Sequence, residues 1–527
     1  MEKFAVAYSR ALVGLKTPLI EIEAQLSNGL PQFHIVGLPE TEVKESRDRV
    51  RAAILQSGFS FPNQKITINL APAELPKESG RYDLPIALAL LAAAHQIRGD
   101  LLHYEFAGEL ALSGSLRAVR GGLLFLKAAE EAGRIFIGPK CNESAAALFP
   151  KSDALFAENL QQVIAHLNGA ETLQLPKIQV IDSPLIKKNQ LDLNEVKGQQ
   201  SAKRALEIAA AGRHNLLLEG PPGTGKSMLA ARLPSILTPL NRQEMIENAI
   251  IHSISDHFPI QPQWSYNRPF RCPHHTASAV AVIGGGAHPR PGEITLAHNG
   301  VLFLDELPEF PRKVMEVLRE PLENREIHIS RTAAQVTYPA DFQLIAAMNP
   351  CPCGFYGHPQ QHCTCTLEQI KRYRSKVSGP FLDRIDLIIQ VPAIPVEKIL
   401  QDPKTIESSA TVAKRVEQAQ ARQYQRQGKL NALLSAKEVE EIASIDNEAR
   451  LFLLSHMNNL QLSTRSYHKI LRIARTLADL KGQEKVDKSH VIQAITFRRG
   501  LHLSLIHISE PTRLRRISYA VFCLKKK

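Results

Sequence analysis

A membrane-crossing segment is missing from this 527-residue chain: its longest apolar run, Leu84 to Ala94, is about half of the ~18–20 residues a bilayer span requires. The first residues, Met1-Glu2-Lys3-Phe4, contain neither an apolar signal core nor a small-residue cleavage site. Low-complexity tracts and solenoid-type repeats are missing too, which excludes fibrous, disordered and repeat-array classes. What remains is a globular composition, 44% hydrophobic and 22% charged, for which a cytoplasmic location is expected. The length exceeds what one hydrophobic core serves, so two or three domains are expected.

A disulfide framework is not expected either. Seven cysteines are present, and four of them crowd between Cys351 and Cys365. In a reducing compartment such clustering reads as metal binding. The formal net charge is +12, but the last 27 residues supply +5 of it, leaving +7 on the other 500. A moderately basic body is compatible with a nucleic-acid partner without requiring one.

Three blocks follow one another, with a linker after the first. Residues 1 to about 170 mix short β-rich runs, such as Ile66 to Leu70, with apolar helical stretches, such as Pro85 to Ala94. Residues 171–190, with Pro176 and Pro184, read as the linker. Over 191–395 strands alternate with helices, the pattern of a parallel α/β sheet. Helices alone are expected over 396–500: a polar one from Ser408 to Gln427, then amphipathic ones from Ser435 to Arg499.

The α/β block carries the chemistry. Gly220-Pro221-Pro222-Gly223-Thr224-Gly225-Lys226-Ser227 has the phosphate-loop spacing, and the apolar run Leu216 to Leu218 before it reads as a buried strand. Glycines let backbone N–H groups converge on phosphate oxygens, and the helix expected from Met228 to Leu233 points its positive end at them. Lys226 is expected to reach the β- and γ-phosphates of ATP, and Ser227 to ligate Mg²⁺. About eighty residues later the apolar run Val301 to Leu304 ends in Asp305 and Glu306. Asp305 is the better Mg²⁺ partner, and Glu306 the better general base for the attacking water. Asn349, after the strand Phe342 to Met348, either positions that water or simply starts a turn with Pro350. Arg384 is either an arginine finger acting on a neighbouring subunit or the partner of Asp383 or Asp386.

This ordered set of motifs, with Ala346-Ala347-Met348-Asn349-Pro350 and Leu382-Asp383-Arg384-Ile385-Asp386 closing it, resembles AAA+ ATPases of the helix-2-insert group. That group includes magnesium chelatase ATPase subunits and the MCM replicative helicases. Arg268-Pro269-Phe270-Arg271-Cys272-Pro273-His274-His275-Thr276, Gly284-Gly285-Gly286, Pro291-Gly292-Glu293-Ile294 and Met348 through Gly354 resemble one branch, the magnesium chelatase-like YifB/ComM family. The match runs from residue 1 to about 500. It implies an AAA+ core with a helical lid, Arg465 as a sensor arginine acting on a neighbour's nucleotide, and a homo-hexameric ring. From the residues alone, Arg465 could equally sit on a solvated helical face.

The resemblance also bears on partners. The segment Arg325 to Tyr338 reads as a β-hairpin, which in the related helicases projects into the ring channel. Arg331 near its tip, with Arg268 and Arg271 of the insert, are the candidate DNA contacts, electrostatic and sequence-independent. The alternative is a hairpin packed between subunits. Cys351-Pro352-Cys353 and Cys363-Thr364-Cys365, nine residues apart, offer four thiolates to a structural Zn²⁺, with His358 and His362 as substitutes; free thiols are the alternative. Cys272, His274 and His275 read as insert architecture.

Residues 1–170 resemble the α+β fold of Lon-type proteases, through Pro76-Lys77-Glu78-Ser79-Gly80, Asp83 to Ala87 and Gly108-Glu109-Leu110. Asp83 stands where the nucleophilic serine belongs and Leu123 near the lysine position, so peptidase activity is not expected. Dyad-free domains of this kind occur in the RadA recombination protein as DNA-binding platforms. From about Leu503 the family pattern stops, and residues 501–527 read as translated adapter sequence without function. The leading expectation is therefore an ATP-dependent translocase on branched or single-stranded DNA, promoting branch migration in natural transformation. The rivals are a chelatase-type or remodelling ATPase with a protein partner, and a regulatory ATPase that binds DNA without unwinding it.

Overall fold

The computed structural model describes residues 3–176, 191–255, 265–286, 289–330, 335–358, 360–394, 407–459 and 463–498. Of the candidate site residues, Arg331 lies outside these segments, as do most of the linker and all of 501–527. The N-terminal unit is built on β1 (Phe4–Arg10), β2 (Leu19–Ser27), β3 (Gln32–Val36), β4 (Lys65–Ala71) and β5 (Tyr104–Phe106). After the short pair β6 (Glu109–Leu110) and β7 (Leu116–Arg117) come β8 (Ile135–Pro139) and β9 (Ala154–Ala157). Seven of these form one mixed sheet in the order β3-β4-β2-β1-β5-β8-β9. Its apolar helix runs over Asp83–Ala93, two residues earlier than the sequence pattern indicated, with ten residues buried; Pro85 falls in the first turn, where its missing N–H costs nothing.

The second unit contains β10 (Leu216–Glu219), β11 (Phe270–Arg271), β12 (Gly284–Gly285), β13 (Arg290–Pro291), β14 (Val301–Leu304), β15 (Glu326–Ser330), β16 (Gln335–Pro339), β17 (Gln343–Met348) and β18 (Leu387–Gln390). Five of them make an all-parallel sheet in the order β11-β14-β17-β10-β18. Parallel strands covered on both faces need apolar residues at every position, and β10, β14 and β17 read that way. The two faces then serve different cores. Leu217, Leu302, Leu304, Leu344 and Ala346 point to one, while Leu216, Leu218, Val301, Phe303 and Ile345 point to the other. Each fully buried Leu contributes roughly 1.5–3 kcal/mol.

The first core is shared with the N-terminal unit: Phe125, Phe136 and Phe156 join Ile250, Val314 and the sheet residues in one apolar cluster. A backbone bond from Gly121 N–H to the Ser253 carbonyl, 3.0 Å, ties the same seam. The other core joins the sheet to the C-terminal helices, Ser409–Gln427, Ala436–Ile442, Asn447–Asn459, Thr464–Lys481 and Lys488–Arg498. Buried Asp479 organises that bundle by accepting from Arg426 at 2.7 Å, Arg475 at 3.2 Å and Asn431 at 2.8 Å. No helix among the described residues is long and apolar enough to cross a membrane.

Candidate active site

Parallel strands bring their C-terminal ends to one edge, which is where open α/β sheets bind ligands. β10, β14 and β17 are adjacent around that edge, so Glu219, Asp305 and Asn349 emerge side by side. After β10 the chain turns through Gly220, where a Cβ would lie 2.2 Å from the Val391 carbonyl oxygen. Gly223 and Gly225 adopt φ of 75° and 85°, the left-handed region in which side chains are disfavoured. The loop enters the helix Lys226–Ala230, shorter than the expected one, and a 3₁₀ turn follows at Leu233–Ile236.

Lys226 is buried beneath this loop. Its Nζ donates to the carbonyls of Gly220 and Pro221, both at 2.8 Å, and to Asn349 Oδ1 at 3.1 Å. Burial lowers its pKa against the pull of Asp305 and Glu306. Ser227 Oγ donates to Asp305 Oδ2 at 2.5 Å, so a hydroxyl and a carboxylate converge from two elements. Oxygen donors set this way suit Mg²⁺, which takes few protein ligands and completes its shell with water and phosphate. Thr224 Oγ1 closes the loop on the Pro221 carbonyl at 2.9 Å. The loop, Lys226 and the Ser227–Asp305 pair together fit a magnesium nucleotide.

Glu306 follows Asp305 in a left-handed conformation, φ 52°, and is half exposed. A non-glycine residue held there stores backbone strain of the kind found at functional sites. Its Oε2 lies 3.3 Å from His275 Nδ1, a contact that sequence reasoning missed by reading His275 as insert architecture. Glu219 was missed too. It is fully buried below the loop, where Arg374 reaches it at 2.7 Å and Gln390 at 2.8 Å; burial still pushes its carboxyl pKa up. An acid closing an apolar strand just before the glycines was the available signal.

The other candidate arginines lie apart. Arg384 and Arg465 line a cleft of about 420 Å³ between the sheet unit and the helical lid, together with Arg472, and no phosphate-loop residue lines it. Arg384 pairs with neither Asp383 nor Asp386; its guanidinium meets Glu323 at 2.6 Å and the Pro380 carbonyl at 2.6 Å. Arg465 is exposed at the start of Thr464–Lys481. Arg268 is held by the carbonyls of Thr238 and Asn299, both at 2.8 Å, and by Glu244 at 3.2 Å. Arg271 makes a two-pronged pair with Glu293 at 2.6 and 2.7 Å.

The expected hairpin is β15–β16, with Ser330 opposite Gln335 next to the tip. Ile327, Ile329, Val336 and Tyr338 face inward, and His328, Ser330, Gln335 and Thr337 face out. Its inner face touches the N-terminal unit, because a Cβ at Gly14 would come 2.3 Å from Val336 Cγ1.

The four clustered cysteines converge as well. Cys351 Sγ is 3.4 Å from Cys353 and 3.7 Å from Cys363, Cys353 is 3.5 Å from Cys363, and the ligand atoms of all four lie within 4.8 Å of one another. A tetrahedral ion with ~2.3 Å Zn–S bonds sets sulfurs about 3.8 Å apart, so the group fits zinc. The Phe355 N–H pulls the Cys353 thiol down to about 5, whereas burial pushes Cys351 up to about 12. The histidine alternative does not hold for His358, whose Nδ1 accepts the Gln360 and Gln361 N–H groups.

In the N-terminal unit, Asp83 is bonded by Arg49 at 2.7 Å and by the Leu110 N–H at 3.2 Å. Ser79 Oγ accepts from Arg81 Nε at 2.9 Å, and Lys77 Nζ donates to the Pro72 carbonyl. Among the described residues no base is bonded to Ser79, so an activated nucleophile is not assembled there.

Comparisons with known proteins cover nearly the whole chain. The family model described as magnesium chelatase, subunit ChlI, matches residues 192–399; subunit ChlI of Mg-chelatase matches 22–142; and the ChlI C-terminal model matches 406–498. The chain is 50% identical over 507 residues to YifB of Salmonella typhimurium, covering 96% of this chain and 99% of that one. It is 48% identical over 502 residues to competence protein ComM of Haemophilus influenzae, covering 95% and 98%. A more distant similarity, 23% over 235 residues, links 42% of this chain to 26% of DNA replication licensing factor Mcm6 of Drosophila melanogaster.

Proposed function

The chain belongs to the YifB/ComM family of magnesium chelatase-like AAA+ ATPases, and from that premise we propose that it is a DNA translocase driving branch migration of recombination intermediates. The observation that carries this reading is the continuity between hairpin and ATP site. β16 ends at Pro339, β17 starts at Gln343, and β17 delivers Asn349 to Lys226 at 3.1 Å. A change in what Lys226 holds therefore has a continuous route to the hairpin through residues 340–348, six of which are the rigid, fully buried strand β17. In this reading Lys226 and the loop amides bind the phosphates, and Ser227 and Asp305 hold Mg²⁺. Glu306, steadied by His275, takes the proton of the attacking water.

The cleft holding Arg384 and Arg465 supports a ring. Two arginines this far from their own phosphate loop serve a nucleotide only if a neighbouring subunit presents one, and head-to-tail contacts of that kind close into rings. A hexamer is the proposed closure. Arg331, which follows β15 in sequence, is the proposed phosphate contact, and the outward faces of β15 and β16 are polar. The N-terminal unit, read as a Lon-type fold without its dyad, serves as the platform under the hairpin. The relative named for competence favours natural transformation as the setting.

A remodelling ATPase with a protein partner is the second reading, favoured by the carboxylates already holding Arg268 and Arg271. The test follows labelled-strand release from a synthetic branched DNA with ATP and Mg²⁺, beside Lys226→Ala and Glu306→Gln. Release by the parent, lost in both variants, is expected. Brisk hydrolysis that DNA does not stimulate, with no release, would sink the translocase and favour the protein partner.

A further inference from the structure

The cysteine cluster does more than close its own loop, because the loop touches the ATP site at three places. It leaves β17 directly after Asn349, whose side chain accepts from Lys226. Three residues past Cys351, Gly354 turns with φ 85° against the phosphate loop: a Cβ there would lie 2.5 Å from Pro222 Cδ. At its far end Cys365 runs into Thr366, which caps the helix Leu367–Ser375 with a reciprocal capping box. That helix carries Arg374, which bonds Glu219 at 2.7 Å and the Pro350 carbonyl at 3.1 Å. Arg374 also lies over the Tyr356 ring at 5.8 Å, so the helix grips the loop it follows.

Between Cys351 and Cys365 the described residues form neither helix nor strand. A segment of that kind has little reason to hold one backbone position, yet Gly354 must stay pressed on Pro222 for the contact to matter. Four sulfur ligands on one ion supply the missing restraint, since binding free energy at such sites becomes folding free energy of the loop. Spacings of 3.4–3.7 Å among Cys351, Cys353 and Cys363, with Cys365 Sγ within 4.8 Å of them, suit a single tetrahedral ion.

We propose that Cys351, Cys353, Cys363 and Cys365 hold one Zn²⁺ and that this zinc clamp buttresses the phosphate loop through Gly354 and Pro222, making nucleotide affinity depend on bound zinc. The inference rests on the ATPase reading for its nucleotide but not on DNA translocation. Loss of the ion frees the loop and withdraws the support behind Pro222.

The test uses the full chain. Metal content of the purified protein is measured by atomic emission, and affinity for a fluorescent ATP analogue is measured with excess Mg²⁺. One zinc per chain is expected in the parent. Cys363→Ser is expected to lose zinc and to bind nucleotide about ten-fold more weakly or worse, equivalent to ~1.4 kcal/mol. Gly354→Ala keeps every ligand, so it should retain zinc and still bind nucleotide more weakly. If Cys363→Ser fails to fold by circular dichroism, Gly354→Ala decides the coupling alone. A folded parent carrying no zinc, or carrying iron instead, overturns the metal assignment. Zinc-loaded Gly354→Ala with parental affinity overturns the clamp. A zinc-loaded parent as unable to bind nucleotide as Lys226→Ala would instead refute the ATP site on which the coupling rests, leaving the zinc site standing.

Discussion

At the scale of single residues, partners are decided by burial as much as by charge. Asp386 lies under the lid with Lys469 at 2.8 Å, the Asn215 N–H at 3.0 Å and His214 Nδ1 at 3.7 Å. Burial would raise its carboxyl pKa, but the Lys469 charge and the His214 contact hold it well below the ordinary 3.8. A depressed folded value means that this stabilisation is complete at pH above that ordinary value and is lost as pH falls beneath it. Asp386→Asn leaves Lys469 buried without its counter-charge, so it should cost about 3–5 kcal/mol in urea unfolding at pH 7. The deficit should shrink as unfolding is repeated at progressively more acidic pH; a constant deficit would disprove the ion pair's role. For Arg384, two residues away, a pair with Asp383 or Asp386 was the alternative to an arginine finger; it meets Glu323 instead, and Asp386 is committed to Lys469.

Elements set what each glycine must do. Gly220 sits where β10 and β18 run side by side, with no space between its Cα and the Val391 carbonyl. Gly220→Ala must therefore part the loop from the sheet. Gly223 meets nothing within 4 Å, so Gly223→Ala carries mainly the left-handed backbone cost of about 1–2 kcal/mol. Thermal melting should show a larger fall for Gly220→Ala, with nucleotide binding abolished there and only weakened in Gly223→Ala. Equal falls would mean that backbone conformation, and not the Val391 contact, governs both positions. The alternation of Leu216, Leu217 and Leu218 between two cores adds rigidity, since any shift of β10 disturbs packing on both faces.

For the whole molecule, the N-terminal unit and the sheet unit share one apolar core, and the hairpin rests on Gly14 across that seam. The hairpin is thus braced from below while its outward face stays polar. The cleft with Arg384 and Arg465 lies elsewhere, between sheet and lid. If it receives a neighbour's nucleotide, a subunit lacking Lys226 can still serve a subunit lacking Arg465. Lys226→Ala and Arg465→Ala should each be inactive alone, and mixing them should restore part of the ATP hydrolysis. No recovery on mixing, with both variants of ring size by analytical ultracentrifugation, would place Arg465 outside the catalytic cycle.

The sequence by itself determined the phosphate loop, the Asp305–Glu306 pair, Asn349 and the buried parallel strands that present them. These are written in neighbouring residues, because a backbone cradle and a two-sided strand are local geometries. The Arg374–Glu219 bond, 155 residues apart, and the His275–Glu306 contact were decided only in the tertiary structure, as was the choice of Glu323 for Arg384. So was the seat of Gly354 on Pro222. A long-range partner depends on how separate elements pack, and packing is chosen by buried area and volume summed over many side chains, which no short motif records.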